Sequence, residues 1–270
     1  MNVRYIDTHC HLQLEQYAHD RDEIIAHMQE KGIAAVVIGD DYGSSKNAVA
    51  LAEKNENLFA SVGIHPDNVM DIVSPLPDDG ITMSKIHELA KHPRVVAIGE
   101  CGLDFFRKSD DETKQAQKEL FKKHIALAME LDKPLMIHVR PSKGTNDAYE
   151  EIIEILKEEK VRSPKLHGNI HFFVGNLEEA NEFFALGFTI SFTAVITFAR
   201  DYDDVIRAVP LASILSETDA PFVAPASRRG QRNDPLAVIE VVEQISAIRG
   251  EDSETVRQTL IANARHFFAI

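Results

Sequence analysis

The stretch from Val95 to Glu100, VVAIGE, is a short apolar run that ends in a carboxylate. Such a run, bounded by glycine, is typical of a buried parallel strand. Barrel enzymes place their active sites at the carboxyl ends of parallel strands, so the position of this glutamate is informative. If other apolar runs of the chain also end in ligand-type residues, the sequence predicts both a fold and a site.

Seven further runs of this kind are distributed along the 270 residues. They are VRYID from Val3, IAAVVIG from Ile33, LFASVGI from Leu58, PLMIHV from Pro134, NIHFFV from Asn169, FTISF from Phe188 and SILSET from Ser213. Helical patterns lie between them, most clearly over Thr113–Leu131, Glu151–Glu159 and Leu236–Ile248. This alternation predicts an α/β protein, a (β/α)8 TIM barrel formed as one domain by residues 1–270, with a doubly wound open sheet as the alternative. Loops are predicted over Asp71–Gly80 and Ala224–Pro235.

The composition narrows the class of protein. Hydrophobic residues make up 44% and charged residues 27% of the chain, and no run approaches the ~20 apolar residues of a membrane helix. The two cysteines form no disulfide framework, and VRYID follows the start without an apolar signal core, so we expect a cytoplasmic location. The net charge of −14 argues against a protein that coats nucleic acid, but it permits a phosphate substrate held by metal ions and a few arginines.

Histidines and acidic residues are concentrated where the predicted strands end. In IDTHCHL, His9 and His11 lie one residue apart and therefore face the same side of a strand. Other residues at strand ends are His65, Glu100, His138, His171 and Asp219. Imidazole and carboxylate groups without cysteine suit divalent ions such as Mg²⁺, Mn²⁺ or Zn²⁺. Even without His65, four histidines and two carboxylates exceed the need of one ion, which favours two divalent ions that share a bridging carboxylate.

These motifs resemble those of the TatD family of metal-dependent deoxyribonucleases, within the amidohydrolase superfamily. The matching stretches are IDTHCHL at Ile6, VGIHP at Val62, AIGECGLDF at Ala97, IHVR at Ile137, IHFFVGN at Ile170, ETDAPFVAP at Glu217, RGQRNDP at Arg229 and NARHFF at Asn263. They follow one another from end to end, so the resemblance covers essentially the whole chain.

The resemblance implies a role for each ligand-type residue. The first ion would be held by His9, His11, Glu100 and Asp219. The second would be held by Glu100, His138 and His171, with Glu100 as the bridge. Asp219 and Glu100 would be the catalytic residues, with Asp219 as the general base toward a metal-bound water.

Three further residues are candidates for substrate binding. His65 at the barrel mouth would contact substrate or orient a ligand, and Arg229 and Arg232 after the eighth strand would contact a phosphate. A solvated basic loop is the alternative for the arginines. Two departures from the family pattern bear on substrate preference: Gln231 stands where relatives often carry lysine, and the loop Pro141–Asp147 follows IHVR where many relatives have Asp-Ala.

The expected activity is hydrolysis of phosphodiester bonds by a water that two metal ions activate. A barrel mouth admits a strand end more easily than the middle of a duplex, and the resemblance suggests a 3′→5′ exodeoxyribonuclease for single-stranded DNA, or for RNA. The alternative is an amide or ester hydrolase, such as an aminoacyl-tRNA deacylase or a cyclic amidohydrolase. A non-catalytic binding protein is disfavoured because all six ligand positions are filled. The expected partner is a nucleic-acid end or another phosphoester; no membrane or obligate protein partner is expected, and the oligomeric state is open.

Overall fold

The computed structural model describes residues 2–69, 79–107 and 110–270. Its eight parallel strands lie in one sheet in chain order: β1 Tyr5–Cys10, β2 Ile33–Ile38, β3 Leu58–Val62, β4 Val95–Asp104, β5 Leu135–Arg140, β6 Gly168–Ile170, β7 Thr189–Phe192 and β8 Ile214–Ser216. A parallel bridge between Cys10 and Ala220 joins the first strand to the segment after the last. The sheet therefore curls into the predicted (β/α)8 barrel, and each of the eight apolar runs contributes its strand.

Helices follow the strands, as the sequence pattern predicts. They are α1 Arg21–Lys31, α2 Tyr42–Lys54, α3 Asp79–Ala90, α4 Asp111–Leu131, α5 Asp147–Arg162, α6 Leu177–Ala185, α7 Asp203–Ala208, α8 Val238–Arg249 and α9 Ser253–Phe268. Side chains at several of the helix starts accept backbone N–H groups that the first turn leaves unpaired, among them those of Asp41, Asn176 and Asp252. Of the predicted loop Asp71–Gly80, residues 71–78 lie outside the described residues and the last two begin α3.

The barrel interior changes character along the strand direction. Near the strand starts it is apolar, with Ile6, Val36, Val96 and Leu215 in one cluster that also includes Phe268 of α9. Near the strand ends it is polar. A substrate can therefore reach the polar residues only from the carboxyl end of the barrel, where an active site is expected. Within the part of the chain that the structure describes, no helix is both long and apolar enough to cross a membrane.

Candidate metal centre

The six predicted ligands meet at the carboxyl end of the barrel. They come from five strands or the residues just after them: His9 and His11 from β1, Glu100 from β4, His138 from β5, His171 from β6 and Asp219 from β8. Two predicted positions need correction. The strand of NIHFFV ends at Ile170, so His171 is the first residue after β6 rather than a residue within the strand. The fourth strand does not end at Glu100 but continues to Asp104, so Glu100 lies within β4. Five of the six are buried, and His138 is half-buried.

Glu100 lies at the middle of the cluster, and its two carboxylate oxygens face different histidines. Oε1 is 2.9 Å from His138 Nδ1 and 2.9 Å from His171 Nε2. Oε2 is 3.6 Å from both His9 Nε2 and His11 Nε2. The cluster therefore has a first half, defined as His9, His11 and Asp219, and a second half, defined as His138 and His171, on opposite sides of one carboxylate.

Asp219 completes the first half. Its Oδ1 is 3.7 Å from His9 Nε2 and 3.6 Å from His11 Nε2. Asp219 adopts the left-handed conformation with φ of 53°, and its backbone N–H donates to His9 O over 2.9 Å. One residue earlier, Thr218 donates through its backbone N–H and its hydroxyl to Asp7, over 2.9 and 2.6 Å. Asp7 thus fastens the start of the chain to the segment that carries Asp219.

The backbone around Glu100 is shaped by glycines. The pairing of β4 with β5 shifts register between Ile98 and Cys101, and such an irregularity re-aims the side chains near it. Gly99 has φ of 147°, a conformation that side chains disfavour. A Cβ at Gly102 would lie 2.1 Å from His138 O, so only glycine lets the two strands approach this closely. The glycines of AIGECGLDF therefore bring Glu100 and His138 together.

Hydrogen bonds select which ring nitrogen of His11 and of His138 faces the cluster. His11 Nδ1 lies 2.9 Å from Ile38 O and can only donate to a carbonyl, so its Nε2 keeps a lone pair. His138 Nε2 lies 3.1 Å from Asp104 Oδ2, which leaves Nδ1 toward Glu100. The Gln117 side chain bonds to both the backbone N–H and the carbonyl of Asp104, over 2.9 Å each, and holds this carboxylate in place.

A second carboxylate, Glu217, stands behind His171. Its Oε1 lies 3.6 Å from His171 Nδ1, and that nitrogen has no hydrogen-bond partner among the described residues. Glu217 is fully buried and accepts from the backbone N–H of Phe172 over 2.6 Å and from Ser191 Oγ over 2.7 Å. The ring of His171 also stacks on His9, with centroids 3.9 Å apart. These contacts hold Nε2 of His171 toward Glu100.

The pKa values of these groups follow from burial and from their mutual charges. Burial raises the pKa of Glu100, but the neighbouring histidines outweigh it and hold the pKa well below its usual range. Burial lowers the pKa of His11, yet Asp219 and Glu100 raise it to about 9. The pKa of His171 is likewise raised well above its usual value, because the charge of Glu100 outweighs burial. The carboxylates therefore concentrate negative charge in the cluster, and without a metal ion the histidines bind protons there.

The donor atoms fit a pair of divalent ions. His9 Nε2 and His11 Nε2 are 3.2 Å apart, and so are His138 Nδ1 and His171 Nε2. Two nitrogens that bind one tetrahedral ion at about 2.0–2.1 Å are separated by about 3.3 Å, so these ring nitrogens, which lie at hydrogen-bond distance, also have the spacing that ligands of one ion would need. The donor atoms of His9, His11 and Glu100 lie within 4.8 Å of one another, as do those of Glu100, His138 and His171.

Comparison with known proteins decides the family. The family model described as TatD related DNase matches residues 6–269. The chain belongs to this family. The uncharacterized metal-dependent hydrolase YabD of Bacillus subtilis is 36% identical over 267 residues, which cover 98% of each chain. The 3′-5′ ssDNA/RNA exonuclease TatD of Erwinia tasmaniensis is 32% identical over 272 residues, 97% of this chain and 98% of that protein.

The fold comparison agrees with the sequence comparison. The crystal structure of YjjV, a TatD homologue from Escherichia coli K12, superposes with a TM-score of 0.88 at 28% identity and covers 100% of both chains. Family membership and the buried cluster of imidazoles and carboxylates together make this TatD-family chain a metal-dependent hydrolase.

Of the three candidate substrate residues, one lies at the cavity and two lie away from it. His65 lines the cavity above the cluster, with Nε2 3.5 Å from Glu100 Oε1. Arg229 and Arg232 are not among the residues that line this cavity. Arg229 lies over the Phe198 ring at 3.8 Å, and Arg232 pairs with Asp20. The two arginines therefore contact protein groups rather than the space above the ligands.

The two departures from the family pattern lie at the surface. Gln231 is exposed, and its backbone N–H donates to Arg228 O over 3.1 Å. In the Pro141–Asp147 loop, the carboxylate of Asp147 accepts from Ser142 Oγ over 2.7 Å and from Lys114 Nζ over 2.8 Å. These bonds tie the loop to the start of α5 and to α4.

The sequence does not predict the contacts of three further residues at the site. Asp104 and Glu217 orient His138 and His171, yet the partners are 34 and 46 residues apart in the chain. The third is Arg140, which lines the cavity together with the ligands. Its position two residues after His138 on one strand, and hence on the same face, is the signal that could have revealed it.

Proposed function

We propose that the chain is a 3′→5′ exonuclease that hydrolyses phosphodiester bonds at the end of single-stranded DNA, or of RNA, with two divalent ions at the shared Glu100. The observation that carries the proposal is the division of the Glu100 oxygens between two groups of imidazoles beneath an open cavity. Two ions on either side of one carboxylate are the arrangement that phosphoester hydrolases use for in-line displacement.

Each half of the cluster would hold one ion. The first half, with Glu100 Oε2, supplies two imidazoles and two carboxylates, and the second half, with Glu100 Oε1, supplies two imidazoles and one carboxylate. Bound ions would activate a water molecule and neutralise charge on the phosphoryl oxygens. The ligand set alone would serve an amide or ester as well, so the choice of a phosphodiester depends on the cavity and on the relatives.

Asp219 would accept the proton of the attacking water. Its side chain is 12% exposed and lines the cavity, so a carboxylate oxygen can face both the cluster and a substrate. The hydrogen bond from its backbone to His9 fixes its position relative to the first half. A general base needs this fixed position, because proton transfer requires hydrogen-bond distance to the water.

His65 would act as a hydrogen-bond donor rather than as a ligand. Its Nδ1 accepts the backbone N–H of Asp67 over 3.1 Å, so the proton of the neutral ring lies on Nε2. Burial and the charge of His138 lower the pKa of His65 to about 4, which keeps the ring neutral at pH 7. Nε2–H then faces Glu100 and the cavity, where it can donate to a phosphoryl oxygen.

The cavity suits the end of a single strand. It has a volume of about 520 Å³, and the apolar cluster near the strand starts closes the barrel below it. A blind cavity of this size accepts the end of a single strand and not the middle of a duplex. The name of the Erwinia tasmaniensis relative, a 3′-5′ ssDNA/RNA exonuclease, supports the same substrate and direction.

The test uses single-stranded DNA and RNA oligonucleotides labelled at the 5′ end. Metal-stripped protein is incubated with each oligonucleotide, with and without Mg²⁺, Mn²⁺ or Zn²⁺, beside an Asp219→Asn variant. We expect a ladder that shortens from the 3′ end, requires metal and disappears in the variant. Intact oligonucleotides under every metal would overturn the nuclease proposal, and hydrolysis of aminoacyl esters or cyclic amides under the same conditions would establish the alternative.

A further inference from the structure

The cavity above the metal centre has two unlike flanks. The segment after β8 contributes the exposed ring of Phe222, whose centroid lies 6.0 Å from that of His11, and the neighbouring Val223 and Leu14 are also apolar. The segments after β4 and β5 contribute Arg107 and Arg140. Because the strands follow chain order around the barrel, these two groups lie on opposite sides of the centre.

The two arginines of the charged flank differ in their partners. Arg107 is 64% exposed and pairs with Asp67 over 2.6 Å. Arg140 is half-buried at the end of β5, and its guanidinium carbon lies 4.0 Å from the centre of the Phe106 ring. In residues 2–69, 79–107 and 110–270, no carboxylate lies within ion-pair distance of Arg140.

The nearby carboxylate of Asp104 has other partners. It feels the charge of Arg140, but its oxygens accept from the backbone N–H of Phe106 over 3.0 Å and face His138 Nε2 at 3.1 Å. Among the described residues, no carboxylate replaces the hydration that this half-buried guanidinium loses. The Arg140 guanidinium lies over the Phe106 ring, so its N–H edge can make a bidentate contact with an anion.

We propose that Arg140 forms a phosphate-binding subsite on the charged flank, which takes the phosphate on the 5′ side of the nucleotide that precedes the scissile bond. The 3′-terminal nucleoside, on the other side of the scissile phosphate, then lies on the apolar flank, against Phe222. Arg140 is thus a specificity residue for substrates with two successive phosphates. This inference rests on the proposed function, because the scissile phosphate must lie at the metal centre.

The subsite can be tested by binding, without cleavage. Thymidine 3′,5′-bisphosphate carries both phosphates of the proposed fragment, and thymidine 3′-monophosphate lacks the 5′ phosphate that Arg140 would contact. Calorimetry on the Mn²⁺-loaded protein measures the affinity for each. We expect the wild type to bind the bisphosphate about 10- to 100-fold more tightly, the range for a hydrogen-bonded charge pair.

Three variants separate Arg140 from the general charge of the cavity. Arg140→Gln should bind both nucleotides equally, whereas Arg140→Lys should retain part of the preference because it keeps the charge but loses the bidentate fork. Arg107→Gln is the matched control, since it removes a cation that is already paired with Asp67, and it should retain the preference. Thermal unfolding of each variant shows whether it is folded.

The outcomes are distinct from those of the nuclease test. Equal affinity of the wild type for the two nucleotides would overturn the subsite, and so would a preference that survives in Arg140→Gln or disappears in Arg107→Gln. An intact oligonucleotide in the cleavage assay, with the bisphosphate preference present, would reject the nuclease proposal and leave the phosphate subsite in place.

Discussion

The two halves of the metal centre share Glu100 but are held in different ways. In the first half, the contacts that orient His11 and Asp219 directly are to the backbone, and the Asp7 carboxylate supports the neighbouring Thr218. His11 Nδ1 faces the carbonyl of Ile38 at 2.9 Å, and the backbone N–H of Asp219 donates to His9 O over 2.9 Å.

In the second half, a carboxylate stands behind each imidazole. Asp104 Oδ2 lies 3.1 Å from His138 Nε2, and Glu217 Oε1 lies 3.6 Å from His171 Nδ1. A carboxylate behind a metal-ligating imidazole increases the basicity of the ring, whereas a neutral carbonyl mainly fixes its orientation. The metal affinity of the second half can therefore be altered through side chains, while the first half depends mainly on the closure of the barrel.

The largest effect is expected where the halves meet. Glu100→Gln replaces the shared carboxylate by a neutral group of similar shape, so both sites lose a charged ligand. We expect the bound metal to fall for both halves and oligonucleotide cleavage to decrease by about 10³-fold or more. Metal analysis after dialysis, together with cleavage rates, measures this. Retention of two ions per chain in the folded variant would contradict the central position of Glu100.

A smaller effect is expected for Glu217→Gln, because Glu217 is not one of the six ligands; it stands behind His171, with His9 of the first half also within 4.8 Å. Loss of a carboxylate behind a metal-ligating imidazole lowers metal affinity about 10- to 100-fold. Titration against a competing chelator should resolve one site per chain that is weakened more than the other. Asp104→Asn should weaken the same site, because Asp104 supports His138. If either variant weakened both sites equally, the two halves would not be supported independently.

The pH dependence of metal binding comes next in size. In the metal-free protein the pKa of His11 is raised to about 9 and that of His171 lies well above its usual value, so both rings are protonated at pH 7. A metal ion must displace these protons. Its apparent affinity should therefore rise as the pH is raised from 6 to about 9. Calorimetry in two buffers of different ionisation enthalpy should detect release of more than one proton at pH 7. An affinity that is constant across this range would contradict the assignment.

The smallest effects are expected outside both halves. Arg232→Ala removes a partly exposed ion pair with Asp20, which contributes little to stability because solvent screens it. Arg229→Ala removes a contact with the exposed ring of Phe198. Each variant should change kcat/KM for an oligonucleotide by less than about 3-fold, since neither residue lines the cavity. A loss of 10-fold or more in either variant would show that the substrate extends beyond the cavity to this loop.

The sequence predicts the fold and the meeting of the ligands because both follow from local patterns. Apolar runs of strand length place Glu100 and His138 at predicted strand ends, and the barrel rule brings such ends together. In the structure both strands continue further, to Asp104 and Arg140, but the two residues remain in the carboxyl-terminal halves of their strands. It does not predict that Glu217 faces His171, because that contact depends on where β6 ends and on the left-handed conformation of Phe172, whose φ is 45°. Likewise, the positive charge of RGQRNDP suggests a phosphate contact, yet only the structure shows that Asp20 pairs with Arg232.

The barrel closes by joining β1 to the segment after β8. This closure determines when the site can form during protein synthesis. Thr218 donates to Asp7 across a separation of 211 residues, and Asp219 lies against His9 at nearly the same separation. While the protein is being made, the first two histidines leave the ribosome long before their carboxylate partner exists. About four-fifths of these 270 residues must therefore emerge before the first half can assemble.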